Sequence, residues 1–247
     1  MNSQSRIYKD KIDIDTNKVM DFWNQRAKED KLNTVLLGNQ KDNTEGTKRN
    51  EIEQELLFKF IGGFEHINIL DIGCGIGRWA NNFKEKYGKN FNYTGIDYCE
   101  NFIVSNKKRF KDDSNIKFYL MATNNIDLGI LDSTYDLVII NGVFMYVNDD
   151  DLVKSFEYVA KIAPKSIYLQ ESISMIDERL TLNQFYSDEL KTNYSAIYRI
   201  PEDYEKLIKK YWGNFNIVET KIMLDDHSGA RKETNARYWF LKNLKNS

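Results

Sequence analysis

Residues 69–78 read ILDIGCGIGR, an apolar strand run that enters a glycine-rich turn, with Asp71 two residues before the first glycine. Gly73, Gly75 and Gly77 alternate through the turn. They remove side chains where the backbone must bend sharply and come close to a ligand, and the helix that follows directs its first amides at a negative group. A turn of this kind holds a nucleotide-like ligand. Its pattern, D-x-G-x-G-x-G, differs from the G-x-G-x-x-G of dinucleotide-binding turns.

The apolar stretch from Phe91 to Ile96 predicts a second parallel strand that stops at Asp97. A carboxylate at that point can accept hydrogen bonds from both hydroxyls of a ribose, and Tyr98 beside it offers a flat apolar face to a base. Further on, Leu137-Val138-Ile139-Ile140 is a run of apolar residues fit for a strand buried on both faces, and it leads into the loop Asn141-Gly142-Val143-Phe144-Met145-Tyr146-Val147. Residues 166–171 read as a fifth strand, with Glu171 at the carboxyl edge where open α/β sheets bind ligands. Glu51 to Phe60 is a helix leading into the first strand, and the alternation of strand and helix up to Ala163 is that of a parallel doubly wound sheet.

These segments, in this order, resemble the motifs of the class I S-adenosylmethionine (SAM) dependent methyltransferases of the small-molecule type, and the resemblance extends from about Asn68 to about Phe240. It implies an α/β fold with a Rossmann-like, doubly wound, seven-stranded and mostly parallel sheet, closed by an antiparallel hairpin from 215–224 and 236–241, with SAM as the cofactor. It further implies that Asp71, Gly73, Cys74 and Gly75 form the cofactor turn, that Asp97 is the ribose ligand with Tyr98 against the adenine, and that Ala122 and Thr123 border the adenine edge. The backbone of Asn141, Gly142 and Val143 falls beside the methionine part of the cofactor. Arg78 follows the last glycine as in the GIGR variant of protein N-terminal methyltransferases; it either pairs with the cofactor's carboxylate or is a solvated arginine on the first helical turn.

Residues 22–27, FWNQRA, resemble the W-x-x-R-A entry helix of small-molecule members, which brings Trp23 and Arg26 to SAM; the other reading makes Trp23 a helix anchor and Arg26 an exposed residue. Residues 1–50 are then an N-terminal cap over the cleft, residues 51–247 the SAM-binding domain, and about 172–201 a substrate-side insert rich in Tyr and Arg. Tyr146 stands where many relatives place a histidine. Tyr146, Glu171 and, from the turn 225–231, His227 are the candidates for orienting or deprotonating an acceptor.

Composition narrows the function further. A net charge of −2 and no block of basic residues argue against a nucleic-acid footprint. With prolines only at 164 and 201, the proline-bearing catalytic motifs of base methyltransferases cannot be built. Two cysteines, Cys74 and Cys99, make neither a zinc knuckle nor an iron–sulfur site. No apolar run approaches the ~20 residues of a membrane span and the start has no apolar leader, so a soluble cytoplasmic protein is expected. Asn148-Asp149-Asp150-Asp151 predicts a helix start, capped by side-chain oxygens, and no metal is expected. The abundance of Lys, Asn and Ile suggests an AT-rich bacterial genome. The expected reaction is methyl transfer from SAM to an oxygen or nitrogen of a small polar metabolite, such as a sugar nucleotide or surface-glycan precursor. A protein N-terminal amine methyltransferase, an NAD-linked dehydrogenase and a non-catalytic SAM-binding protein stand as the rival readings.

Overall fold

The computed structural model describes residues 5–29, 32–36, 44–62, 65–132, 134–187, 190–223 and 233–245. The chain begins with strand β1 (Ser5–Tyr8) and helix α1 (Thr16–Arg26), whose preceding Asp15 accepts hydrogen bonds from the amides of Asn17 and Lys18. Val19, Trp23 and Ala27, one helical turn apart, are its buried face. After the single turn α2 (Leu32–Val35) comes α3 (Thr44–Phe60), which starts at Thr44 rather than at the expected Glu51. The polar sequence is held helical by buried partners: Asn50 bonds to Asn82, and Glu53 lies fully buried against Arg78.

The alternating part follows as β2 (Ile67–Ile72), α4 (Arg78–Tyr87), β3 (Phe91–Asp97), α5 (Glu100–Arg109), β4 (Ile116–Leu120) and β5 (Leu137–Asn141). A 3-10 turn at Phe144–Tyr146 leads to α6 (Asp149–Ile162) and β6 (Ser166–Ser174). Then come β7 (Leu180–Ser187), β8 (Thr192–Tyr198), α7 (Pro201–Tyr211), β9 (Phe215–Ile222) and β10 (Thr234–Asn243). Seven strands form one sheet in the order β4-β3-β2-β5-β6-β10-β9, with β10 antiparallel to both β6 and β9 and the other pairs parallel. This is the expected mostly parallel sheet with its closing hairpin. From β2 the chain passes to β3 on one side and later to β5 on the other, so the crevice at the carboxyl ends of β2 and β5 is where such a sheet binds ligands.

Period-2 alternation divides the core. Ile67 and Ile69 of β2 pack with Trp79 and Phe83 of α4, while Leu70 and Ile72 pack on the other face with Val138, Phe156 and Trp239. Each such side chain, fully buried, contributes roughly 1.5–3 kcal/mol. The region expected as a substrate-side insert contributes β7 and β8 to a second, antiparallel sheet of order β1-β7-β8, in which the N-terminal strand pairs Arg6 with Leu182. Among the described residues no helix is long and apolar enough to cross a membrane.

Candidate active site

Gly73 and Gly75 adopt positive φ, at 77° and 51°. A Cβ on Gly73 would stand 2.3 Å from a methyl of Val143, and one on Gly75 2.8 Å from a methyl of Val35. Glycine alone therefore lets the turn lie against the loop after β5 and against α2. The amides of Gly73 and Cys74 donate to the carbonyl of Ile96, which ties the turn to β3. Asp97, at the tip of β3, is nearly buried; its two oxygens accept from the amides of Gly75 at 2.9 Å and Cys99 at 2.8 Å. Each oxygen retains a further lone pair, enough for a diol. Burial pushes its carboxyl up to about 6, against the opposing pull of those amides.

A cavity of about 310 Å³ opens here. Its lining includes Tyr98 and Phe102, Met121, Ala122 and Thr123 after β4, Gly142 and Val143 after β5, and Val19 and Trp23 of α1. The Tyr98 hydroxyl is buried with no hydrogen-bond partner among the described residues, a rarity in native proteins and a sign of a polar ligand atom. The Thr123 hydroxyl is shared with Ser155 at 2.7 Å. The glycine cradle, the lone pairs of Asp97 and the unpartnered Tyr98 hydroxyl fit an adenosine group.

A second cavity of about 70 Å³ shares Val35, Gly73, Gly75, Asn141, Gly142 and Tyr146 with the first, so the two adjoin at the turn. Its own lining includes Asp71, Cys74, Arg49, Arg78 and Ser172. Asp71 accepts from the Tyr93 hydroxyl at 2.5 Å, and burial pushes its carboxyl up to about 7. Behind this cavity Glu53 gathers four partners: Arg78 at 2.6 Å, Gln170 at 2.8 Å, Arg49 at 3.0 Å and Asn141 at 3.0 Å. Burial alone would raise the Glu53 carboxyl, but the two guanidiniums and the Gln170 bond prevail and hold it down to about 2. Glu53, Arg49 and Asn50 escaped the sequence reading; the spacing of Arg49 and Glu53, one helical turn apart, is the signal that could have found them.

Three expectations are corrected, and of the two readings of Arg78 the solvated one falls. Arg78 is not solvated: it is buried, with Glu53 on one terminal nitrogen and Asn50 on the other at 2.7 Å. Arg26 lines neither cavity, and its Nε donates to the Thr34 carbonyl at 2.9 Å. Glu171 does not emerge at the sheet edge, because β6 continues to Ser174. Fully buried, its carboxylate accepts from the amides of Val143, Phe144 and Met145 at 2.9–3.2 Å and so shapes the loop after β5. Asp149 begins α6 as expected, but the negative charge there is taken by Arg179 and Arg199, both at 2.6 Å, and Asn148 bonds to the backbone of Ile14 instead of capping the helix. Tyr146 lines both cavities; its hydroxyl meets that of Tyr194 at 3.0 Å and its ring stands edge-on to Trp23. His227 lies outside the described residues.

Residues 69–164 match the family model described as a methyltransferase domain. That stretch of the chain carries a methyltransferase domain. The chain is 24% identical, over 96% of its length, to phosphoethanolamine N-methyltransferase 1 of Zea mays, and it spans 46% of that protein. The same methyltransferase fold is seen in a SAM-dependent methyltransferase of Leishmania major, with a TM-score of 0.66 and 19% identity over 92% of this chain and 82% of that one. It is seen again in phosphoethanolamine N-methyltransferase 1 of Haemonchus contortus, solved with phosphoethanolamine and S-adenosylhomocysteine, with a TM-score of 0.69 and 17% identity over 93% of this chain and 49% of that one. The chain thus spans about half the length of these two phosphoethanolamine methyltransferases.

Proposed function

We propose that this methyltransferase domain transfers a methyl group to an oxygen or nitrogen of a small polar metabolite. SAM, when bound, supplies an activated methyl on a sulfonium that is already a good leaving group. The observation that carries the reading is Asp97, beside the glycine turn, on the wall of the 310 Å³ cavity at the carboxyl end of the sheet. Asp97 would hold the ribose, Tyr98 and residues 121–123 the adenine, and the turn with Asp71 and residues 141–143 the amino-acid end. Helix α1, with Trp23, serves as a cap that excludes water from the methyl group.

Tyr146 is the side chain placed to meet an acceptor. Burial drives its phenol well above the usual range, so it keeps its proton at neutral pH and orients the nucleophile by hydrogen bonding rather than deprotonating it. Acceptors of the kind expected from the sequence, sugar nucleotides and glycan precursors, and phosphorylated amines like the phosphoethanolamine bound by the Haemonchus contortus relative, are the classes to test. Release of S-adenosylhomocysteine from SAM in the presence of either class is the expected result. Release with peptides bearing a free α-amine, and with no small compound, would assign the site to protein N-terminal methylation instead.

A further inference from the structure

The smaller cavity sets an acid against two bases. Asp71 lies on its wall beside the glycine turn, and Arg49 and Arg78 both belong to its lining. They are not equivalent. Arg78 has one terminal nitrogen on Glu53 and the other on Asn50, lies 4.7 Å from the centre of the Trp79 ring, and has 7% of its side chain exposed. Both its terminal nitrogens are thus engaged by the protein. Arg49, with 29% of its side chain exposed, is held among the described residues only through Nε, which donates to Glu53 at 3.0 Å. Both its terminal nitrogens, carrying four N–H donors, stay available in the geometry that grips a carboxylate with two parallel bonds.

We propose that Arg49, rather than the motif residue Arg78, binds the carboxylate of the cofactor's amino-acid end, and that Glu53 is the positioning residue that aims it. The inference rests on the reading of the site as a SAM site. An α-amino acid carries an ammonium and a carboxylate on one carbon, and the cavity offers Asp71 to the first and Arg49 to the second. Glu53 neutralises one of the two guanidiniums and fixes the Nε edge of Arg49. The remaining positive charge faces the ligand instead of being spent inside the protein.

The test compares two ligands on the full chain by titration calorimetry: S-adenosylhomocysteine, and 5′-methylthioadenosine, which keeps the adenosine and sulfur but lacks the amino-acid end. The wild type should bind S-adenosylhomocysteine more tightly. Arg49→Gln should weaken it roughly 10- to 100-fold, the scale of a lost charge-assisted pair, while leaving methylthioadenosine within about twofold. Arg49→Lys, which keeps the charge but not the fork, should fall between, and it serves as the second variant if Arg49→Gln does not fold. Glu53→Gln should lower the preference for S-adenosylhomocysteine over methylthioadenosine, a ratio that a purely structural loss would leave alone. Unchanged affinity in the Arg49 variants, or equal weakening of both ligands, would overturn the proposal while the SAM reading stands. A wild type that binds neither compound would overturn the SAM reading itself.

Discussion

Asp97 accepts two backbone amides and lines the cavity, so the proposed ribose ligand is also a strut of the turn. Asp97→Ala should raise the dissociation constant for S-adenosylhomocysteine at least tenfold, since bonds from two hydroxyls to a charged acceptor are worth ~1.5–3 kcal/mol each. It should also lower the melting temperature by roughly 2–8 °C, because the amides of Gly75 and Cys99 lose their acceptor. A variant with unchanged affinity would reduce Asp97 to a structural residue. The acids also set a pH dependence. Burial raises the carboxyls of Asp71 to about 7 and Asp97 to about 6, so the folded protein holds protons that the unfolded chain has lost above pH ~4. Stability from these groups is therefore lost as pH rises from about 4 through 7. Cofactor binding, which favours the ionised carboxylates, should strengthen over pH 5.5–8 and release protons, a signal that scales with buffer ionisation enthalpy in calorimetry. A flat profile would contradict the placement of both acids. The glycine turn and Asp97 were legible in the sequence because their geometry is local. The pairing of Arg78 with Glu53 was not, because each meets its partner only after α3 has packed on α4.

The loop after β5 is clamped from both chemical sides: Glu171 of β6 takes three of its amides, and Arg199 donates to the carbonyls of Phe144 and Val147 while pairing with Asp149. Glu171→Ala should cost about 3 kcal/mol or more, since three backbone donors, two of them buried, lose their acceptor, and lower the melting temperature by roughly 6–12 °C. A normal melting temperature with turnover reduced by ~10²–10⁴ would instead restore Glu171 as a general base. The parallel strands and the closing hairpin could be read directly, since apolar runs and period-2 alternation are properties of short segments. Strand β1 could not: Ser5–Tyr8 carries no apolar pattern, and it becomes a strand by pairing with β7, far along the chain. Strand β7 is broken by a register shift between Leu182 and Phe185, with Gln184 at positive φ, which hides its alternation. The start of α3 was misread for a related reason, as its polar residues face buried polar partners instead of solvent.

At the scale of the whole molecule, the switch between β2 and β5, the glycine turn and helix α1 meet around the larger cavity, and the second sheet supplies Tyr194 and Tyr198 behind Tyr146. Tyr146→Phe should lower the turnover of a working acceptor without changing cofactor affinity, since the phenol orients and does not hold the nucleoside; a matching loss of S-adenosylhomocysteine affinity would place it in the cofactor site instead. Everything proposed for the cleft depends on the identity of the nucleoside it takes, and a ligand that binds only the folded state also raises its melting temperature. Titration calorimetry of the full chain with S-adenosylhomocysteine is the direct measurement. Saturable binding at one site per chain, accompanied by a rise in melting temperature, is the expected result. No heat at millimolar ligand, alongside clear binding of NAD, would contradict it.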